Sequence, residues 1–206
     1  MRTIGFVLLL MPLSVVLGGD KSSNNWTEFR NGGSSSSTCS LPVTWSPEKG
    51  VAWQRELPGY GQSCPVIFNS RVFLTAVVGP MKDQCAVICL DLKTGDQIWA
   101  YETHASTKSA SNYMAARSAP TPIADENGIY AFFETGDVVG LNHQGSELWK
   151  RSLTSEYGAF ENNHGLGSSP TQTNDLVIIN IEHKGPSYLV AIDKSTGKNV
   201  WKTDRP

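Results

Sequence analysis

The chain has 206 residues, enough for one or two domains. Its 17 lysines and arginines nearly balance 19 aspartates and glutamates, which excludes an electrostatic case for nucleic-acid binding. Charged residues make up 17%, below the roughly 25% of an average globular protein, and the 19 glycines are typical of a folded β-rich chain.

The N-terminus is typical of an export signal. Arg2 supplies a positive charge, residues 4–17 are almost wholly apolar, and two glycines offer a cleavage point. We therefore predict a signal peptide over 1–19 and a location in the periplasm, the cell envelope or outside the cell. The apolar run is shorter than the about 20 residues that span a bilayer, which favours a cleaved signal peptide. An uncleaved anchor is the alternative, and it is the one membrane contact that we expect. Residues 20–44 are polar and serine-rich, and we predict a flexible lead-in.

A propeller-like pattern of strands and turns occupies residues 45–206. The segment 51–57 alternates apolar and polar residues and predicts a half-buried strand. Three units follow, and each begins at Ser-x-Pro, continues with a β-branched run, and ends with a glycine turn and a strand that carries tryptophan. These units span 62–103, 118–153 and 168–204. No segment has a convincing helical period.

Four tryptophans, Trp53, Trp99, Trp149 and Trp201, are separated by intervals of 46, 50 and 52 residues. Glycines stand four residues before the last three, at Gly95, Gly145 and Gly197. A strand-rich period of this length indicates a propeller or a similar array. We predict that these tryptophans and glycines are structural, since an indole buries about 150–250 Å².

The predicted architecture is therefore all-β: a partial β-propeller of about three four-stranded antiparallel blades, with the strand at 51–57 as an orphan outer strand. Closed propellers typically have about 4–8 blades. We expect the chain to be part of a longer protein or a truncated product. Closure by self-association is the alternative.

Four cysteines are present, at Cys39, Cys64, Cys85 and Cys89. Cys85 and Cys89 lie four residues apart in one predicted strand, roughly 13 Å between Cα atoms, too far for a disulfide. For Cys89, the role of a small buried residue is the plain interpretation. A bridge between Cys39 and Cys64 is possible, since export permits disulfides.

No arrangement of side chains predicts catalysis or a metal. The histidines lack metal-ligand spacing, and no serine stands in a nucleophile elbow. The connections 104–117 and 154–167 are long for a β-protein and would share one face, so they are the places for a ligand or protein groove. Candidate binding residues there are Arg117, Tyr113, Asn162 and His164. Ordinary loop packing is the other interpretation of these connections and the one that we favour, because long loops are only a weak sign of function.

The repeated units resemble the PQQ-like β-propeller repeat family, whose tryptophan-docking motif runs Ala-x-Asp-x-x-Thr-Gly-x-x-x-Trp. The match is best over 191–201, good over 89–99 and weaker over 140–149. The opening at 25–30 is similar to exported bacterial members of the family that resemble the outer-membrane assembly factor BamB. The chain corresponds only to the N-terminal portion of such members. The resemblance implies that each tryptophan packs on the neighbouring repeat.

The resemblance implies two functional classes. The first, which we favour, is an exported, non-enzymatic scaffold or binding module for a protein or peptide partner at the cell envelope, with no evident cofactor. The alternative is part of a PQQ-dependent alcohol or sugar dehydrogenase, which would bind PQQ and calcium and would place its catalytic residues in further blades. The family's dehydrogenases clamp the quinone with two adjacent cysteines, a dipeptide that this chain lacks.

Overall fold

The protein was described from a computed structural model, which covers residues 25–33, 43–46, 48–110 and 114–206. The predicted signal peptide, Cys39 and Tyr113 lie outside the described residues. Three four-stranded antiparallel sheets make up most of the described chain, and in each sheet the strands lie side by side in chain order. The predicted all-β partial β-propeller is confirmed.

Each sheet corresponds to one sequence unit. The first sheet contains β1 (Val66–Phe68), β2 (Arg71–Val78), β3 (Gln84–Asp91) and β4 (Gln97–His104). The second contains β5 (Ile123–Ala124), β6 (Ile129–Phe132), β7 (Asp137–Leu141) and β8 (Glu147–Ser152). The third contains β9 (Thr171–Gln172), β10 (Leu176–Ile181), β11 (Ser187–Asp193) and β12 (Asn199–Arg205).

Burial explains the strand sequences. The two middle strands of the first sheet, β2 and β3, are buried on both faces and are almost continuously apolar. The outer strand β4 alternates exposed and half-buried residues, which matches its alternating sequence. The corresponding strands β8 and β12 also carry most of the exposed residues of their sheets, so β1, β5 and β9 are the inner strands.

Each of the three tryptophans that lie in a strand faces a small residue across the ladder. Trp99 pairs with Cys89, Trp149 with Gly140 and Trp201 with Ala191. An ideal Cβ on Gly140 would stand 2.5 Å from the Trp149 ring, so the indole fills the place of a side chain there. In each sheet, the small residue opposite the tryptophan therefore leaves room for the indole ring.

Each of the first three indoles also lies on a glycine in the turn of the following sheet. An ideal Cβ on Gly95 would stand 2.5 Å from Trp53, and one on Gly197 would stand 2.6 Å from Trp149. Trp99 lies in the same way on Gly145. The three glycines have φ between 69° and 82°, a backbone conformation that glycine adopts at little cost.

The indole nitrogens of Trp53, Trp99 and Trp149 make equivalent contacts with the turn of the following sheet. Nε1 of Trp53 donates to the Leu92 carbonyl at 2.9 Å, and Nε1 of Trp149 donates to the Lys194 carbonyl at 2.8 Å. Nε1 of Trp99 donates to the His143 carbonyl at 3.1 Å. His143 is half-buried, and its ring stacks on the Phe68 ring with the centroids 5.4 Å apart.

Apolar cores fill the spaces between adjacent sheets. One cluster joins the first and second sheets around Phe73, Val87 and Phe133, and another joins the second and third around Phe132 and Val190. A third cluster lies on the face of the first sheet that points away from the second sheet, and Trp53 packs against it. These cores fix the sheets side by side, so their loops form a common surface.

The segment 51–57, predicted to be an orphan strand, forms no strand. A strand requires a neighbour that shares its backbone hydrogen bonds, and no described strand lies beside this segment. Trp53 nevertheless keeps its place on Gly95. Tyr60, further along, exchanges two backbone hydrogen bonds with Val77 at 2.9 and 2.8 Å.

Two short helices accompany the sheets. The first, α1 (Arg30–Gly33), is one distorted turn, and the second, α2 (Leu153–Tyr157), follows β8 directly. Oγ of Ser152 accepts a hydrogen bond from the Ser155 amide and caps α2. A helix of five residues is too short to leave a period in the sequence, which is why the sequence predicted none.

Residues 25–33 fall within the predicted flexible lead-in and have defined contacts with the inner strands of all three sheets. Trp26 exchanges two backbone hydrogen bonds with Ile67, each 2.7 Å. The Thr27 carbonyl accepts from the Ala124 amide at 3.0 Å, and Oε2 of Glu28 accepts from Thr171 Oγ1 at 3.0 Å. We call residues 25–33 the axial segment, because they lie along the inner edges of the sheets.

Candidate functional site

The long connections and the β2–β3, β6–β7 and β10–β11 loops lie at one end of the three sheets. In a four-stranded meander, the middle hairpin loop and the two chain ends share one end of the sheet, so this follows from the strand order. We call this end the loop face. The prediction that the connections 104–117 and 154–167 share one face agrees with this geometry.

A buried ion pair lies beneath the loop face. Nζ of Lys82, in the β2–β3 loop, is 3.0 Å from Oε1 of Glu134, which follows β6 in the second sheet. The two side chains are 2% and 1% exposed. Nζ of Lys82 also donates to the Ala116 carbonyl at 2.5 Å, and the Ser118 amide donates to both Glu134 oxygens at 2.9 and 3.1 Å. The pair therefore joins two sheets and the connection between them.

A second buried carboxylate, Asp137, fixes the start of that connection. It accepts hydrogen bonds from the amide and hydroxyl of Ser106 at 2.9 and 2.6 Å and from the Thr135 hydroxyl at 2.8 Å. Nζ of Lys150 lies 3.5 Å away. Each of these contacts supplies part of the polar environment that a buried carboxylate requires.

The thiol of Cys85 lies beside this cluster, 3.5 Å from the Thr135 hydroxyl. Burial raises the pKa of Cys85 to about 12, and burial also raises the pKa of Cys89 to about 11. Both residues lie in β3 as free thiols, as the sequence predicted. Cys64 is exposed. The possible bridge from Cys64 to Cys39 stays a prediction, since Cys39 is outside the described residues.

Three cavities follow one another across the loop face. The inter-sheet cavity, of about 250 Å³, lies above the ion pair and is lined by Lys82, Thr107, Glu134, Phe160 and Asn162, among others. The groove, of about 610 Å³, is lined by residues 161–168 and 182–184. The axial cavity, of about 940 Å³, is lined by Glu28, Cys64 and the Ser-x-Pro starts of the inner strands.

The groove runs into the axial cavity, because both are lined by Gly167 and Ser168. His183 secures one wall of the groove: its Nδ1 accepts from the amides of Glu161 and Gly185, each at 3.0 Å. The amide of Lys184 donates to the Glu161 carbonyl at 3.0 Å. The wall is thus a backbone-bonded structure that joins the connection 154–167 to the β10–β11 loop.

The inner strand starts are bonded to one another around the axial cavity. The Cys64 amide donates to the Thr121 hydroxyl at 3.1 Å, and the Thr121 amide donates to the Ser169 hydroxyl at 3.0 Å. The Ser63 hydroxyl accepts from the Thr75 amide at 3.2 Å. The hydroxyls of Ser63 and Ser169 therefore connect neighbouring segments of the chain around the axial cavity.

The structure brings together two of the four predicted binding residues. Asn162 and His164 both line the groove, and Oδ1 of Asn162 accepts from the His164 amide at 2.9 Å. Nδ1 of His164 lies 3.2 Å from the Met114 carbonyl, which requires a proton on that nitrogen. The His164 carbonyl accepts from the Ala116 amide at 2.6 Å, so this residue joins the two long connections.

Arg117 lies apart from Asn162 and His164. Its guanidinium stands over the Tyr60 ring at 4.2 Å, and its amide donates to Oε1 of Gln62 at 2.9 Å. The Gln62 amide donates to the Arg117 carbonyl at 3.1 Å. Arg117 therefore holds the entry to the first sheet, and it does not line the three cavities.

Sequence reasoning missed the buried charges beneath the loop face. Glu134 follows the apolar run of β6, and a carboxylate at the end of a buried strand is a signal for a buried polar contact. Lys82 carries no comparable signal, because a lysine in a hairpin loop is ordinarily exposed. Its partner belongs to another sheet, 52 positions further along, and the sequence gives no sign of that contact.

Comparison with known proteins places this fold. The family model described as outer membrane protein assembly factor BamB, of the PQQ repeat type, matches residues 43–206. The chain belongs to this family. Its PQQ-repeat β-propeller architecture is the one that the three sheets and their tryptophan contacts display.

Two curated relatives are named polyvinylalcohol dehydrogenase. The one from Pseudomonas sp is 25% identical over 172 residues, which covers 76% of this chain and 25% of the relative. The one from Sphingopyxis sp. (strain 113P3) is 25% identical over 206 residues, which covers 93% of this chain and 29% of the relative. The chain thus spans between a quarter and a third of the length of these relatives.

A solved structure shares the fold. The quinohemoprotein alcohol dehydrogenase ADHIIG of Pseudomonas putida HK5 superposes with a TM-score of 0.54 at 18% identity, over 75% of this chain and 22% of that one. Among the described residues of this chain, no helix is long and apolar enough to cross a bilayer. No group of three or more histidine, cysteine or acidic side chains in that same part is arranged to hold a metal.

Proposed function

We propose that this chain is part of an exported β-propeller scaffold that binds an extended segment of a partner protein across its loop face. The observation that carries the proposal is the groove of about 610 Å³ and its continuation into the axial cavity through Gly167 and Ser168. A depression that is open along its length accepts an extended chain, whereas a small ligand is usually enclosed.

The charges and backbone groups of the groove suit a polypeptide. Glu161, Glu182 and Lys184 place both signs of charge along it, and Asn162 contributes an amide. Such polar groups hydrogen-bond a partner backbone and select its side chains. The description of the family as an assembly factor supports a protein partner. The apolar N-terminus at 4–17 supports export to the periplasm or envelope.

Site-specific crosslinking tests the proposal. A photo-crosslinking residue is placed at Asn162, in the groove, and as a matched control at Lys93, in an exposed turn at the opposite end of the first sheet. In the envelope fraction we expect one discrete adduct from position 162, identified by mass spectrometry as a peptide of one protein, and none from position 93.

Gly167 provides the blocking variant. An ideal Cβ at this position meets nothing within 4 Å, so Gly167→Trp fills the passage between groove and axial cavity without a backbone clash. The variant is expected to remove the adduct while the circular dichroism spectrum stays unchanged. Equal crosslinking from both positions, or an adduct that survives Gly167→Trp, would contradict binding in the groove.

A second candidate, part of a quinone-dependent alcohol dehydrogenase, is favoured by one observation: both curated relatives carry a dehydrogenase name. The described residues of the axial cavity do not fit PQQ by themselves. PQQ is a tricarboxylate, and Glu28, a carboxylate, is the charged side chain that lines this cavity. The fit would need cationic groups from repeats other than the three described.

Reconstitution separates the two candidates. The chain, and a longer form if the gene encodes one, is mixed with PQQ and calcium, and dye reduction is measured with alcohols as substrates. Dye reduction that requires PQQ would favour the dehydrogenase. Its absence from the longest form, together with the crosslink from position 162, would favour the scaffold.

A further inference from the structure

We infer that the inter-sheet cavity binds a small, uncharged, hydroxyl-rich molecule, held by Lys82 and Glu134. This site adjoins the groove, with which it shares Asn162, Asn163, Gly165 and Leu166, but the inference does not depend on the binding of a partner protein there. The cavity has a volume of about 250 Å³, just below the about 300–1,000 Å³ of drug-sized sites. That volume suits a short polyol or a single sugar ring.

The ion pair offers one donor and one acceptor next to each other. An ammonium group has three N–H donors, and among the described residues Nζ of Lys82 reaches two acceptors, the Ala116 carbonyl and Oε1 of Glu134. Oε2 of Glu134 accepts from the Ser118 amide at 3.1 Å, a hydrogen that it shares with Oε1 at 2.9 Å. The third N–H of the Lys82 ammonium and a lone pair on Oε2 of Glu134 are therefore available to a ligand.

Two adjacent hydroxyl groups of a ligand can hydrogen-bond both the Lys82 ammonium and the Glu134 carboxylate. One hydroxyl oxygen accepts from the ammonium and the other hydroxyl donates to Oε2, whereas a carboxylate ligand supplies no donor and an ammonium ligand supplies no acceptor. Lys82 and Glu134 are the charged residues among those that line the cavity, and their charges cancel. An ionic ligand would leave an unpaired charge in a buried site, which is costly.

The remaining walls of the cavity are polar on one part and apolar on another, and a polyol likewise carries both hydroxyl groups and carbon-bound hydrogens. Thr107 and Asn162 offer polar groups, while Phe160 and Leu166 offer apolar surface. Phe160 stands 6.4 Å from the Phe132 ring, edge to face, and is thereby held in position. Carbon-bound hydrogens of a polyol pack on such a ring while its hydroxyls face the polar wall.

The backbone beside the cavity is strained. Lys82 has φ 50° and Ser118 has φ 53°, in the left-handed region that residues with a side chain seldom occupy. Both are buried, and the Ser118 hydroxyl has no hydrogen-bond partner within the described part of the chain. Strain of this kind persists where the surroundings enforce it, and it concentrates at binding sites.

The test is a titration of the 206-residue chain with glycerol, meso-erythritol and D-glucose, followed by amide chemical shifts. Acetate and methylammonium serve as charged probes of similar size. We expect saturable shifts with at least one of the three polyols, confined to the connections and loops around the cavity, and none with the charged probes. Absence of saturable shifts with all three polyols, or preference for a charged probe, would overturn the assignment.

Three variants locate the binding. Ala115→Phe fills the cavity from a half-buried wall position and should abolish binding, and Asn162→Ala should weaken it up to about tenfold, the value of one hydrogen bond. Lys198→Met, in an exposed turn at the other end of the third sheet, should leave it unchanged. Neither cavity variant replaces a member of the ion pair, so the test does not depend on whether Lys82→Met folds. Undiminished binding in Ala115→Phe would place the polyol elsewhere.

Discussion

The indole of Trp149 lies against the backbone of Gly197, 48 positions further along the chain and in the turn of the next sheet. An ideal Cβ on Gly197 would stand 2.6 Å from the ring, and Nε1 of Trp149 donates to the Lys194 carbonyl at 2.8 Å. Trp201 occupies the same place in the third repeat, and the residue is 40% exposed. The same residue type in the same repeat position is thus buried in one case and accessible in the other.

This difference predicts unequal effects of mutation. Trp149→Ala should lower the free energy of unfolding by about 3–5 kcal/mol, because it removes a buried aromatic side chain and leaves a cavity. Trp201→Ala, the matched control, should lower it by about 1 kcal/mol or less. Urea unfolding followed by circular dichroism measures both. Equal losses would show that the indole contacts between sheets do not stabilise the fold.

The aspartates of the turns predict a dependence of stability on pH. Hydrogen bonds from the Thr94 and Lys93 amides lower the pKa of Asp91, and hydrogen bonds from Ser195 and Thr196 lower that of Asp193. A folded pKa below the unfolded value of about 3.9 means that the contribution is present above that pH and is lost as the pH falls below it. Stability should therefore decline at acid pH.

Asn142 supplies the control for this prediction, because it holds the same turn position in the second repeat and accepts from the amides of Gln144 and Ser146 at 3.0 and 2.9 Å. Asp193→Asn and Asp91→Asn should keep the turns. Urea midpoints of the double variant, measured as the pH is lowered through about 3.9, should fall less steeply than those of the unchanged chain. An unchanged slope would assign the acid sensitivity to other groups.

Thiol reactivity is predicted to differ among the cysteines. Burial raises the pKa of Cys85 to about 12 and that of Cys89 to about 11, so both remain protonated and inaccessible in the folded chain. Cys64 is exposed. In a Cys39→Ser background, iodoacetamide at about pH 8 should modify one thiol in the native chain and three in urea, counted by mass spectrometry. Native modification of Cys85 would contradict its burial.

The axial segment is predicted to stabilise the sheets against one another. A chain that begins at residue 34 loses the backbone pair between Trp26 and Ile67 and the contacts of Thr27 and Glu28. It should be less stable than a chain that begins at residue 25 by about 2 kcal/mol or more, at 0.5–1.5 kcal/mol for each hydrogen bond. Equal urea midpoints of the two chains would show that residues 25–33 add no stability.

A single substitution refines that comparison. Glu28→Ala removes one partly exposed hydrogen bond, to Thr171, and should lower the free energy of unfolding by less than the truncation does. The thiol of Cys64, which lines the same axial cavity, reports on access: it should react faster with iodoacetamide in the truncated chain. A rate that does not change would indicate that the axial segment leaves this thiol open.

The sequence predicted the three sheets well because their pattern repeats. Glycine turns, β-branched strands and tryptophans recur in step, and each recurrence is an independent sign of the same unit. The predicted units at 62–103, 118–153 and 168–204 contain the strands found between Val66 and Arg205, except for the last residue of β4 and of β12. The segment 51–57 was the exception, since alternation alone cannot show whether a neighbouring strand is present.

The site was harder to predict for a physical reason. Asn162 and His164 lie on a long connection that is visible in the sequence, whereas the contact of Arg117 with Tyr60 is not. Binding by these three residues stays a prediction. The Lys82–Glu134 pair joins loops of two different sheets, and no periodic pattern encodes such a contact. Tertiary contacts between loops depend on how the sheets are placed, which the repeats determine only in part.

The direction of the indole contacts has a consequence for biosynthesis. Because Trp53, Trp99 and Trp149 each rest on a turn that lies roughly fifty residues downstream, a repeat emerging from the ribosome has its aromatic anchor before it has the surface that receives it. The packing of each repeat is therefore completed only after the next repeat has been synthesised. A chaperone that shields exposed indoles would therefore meet this protein at its leading, most recently synthesised repeat.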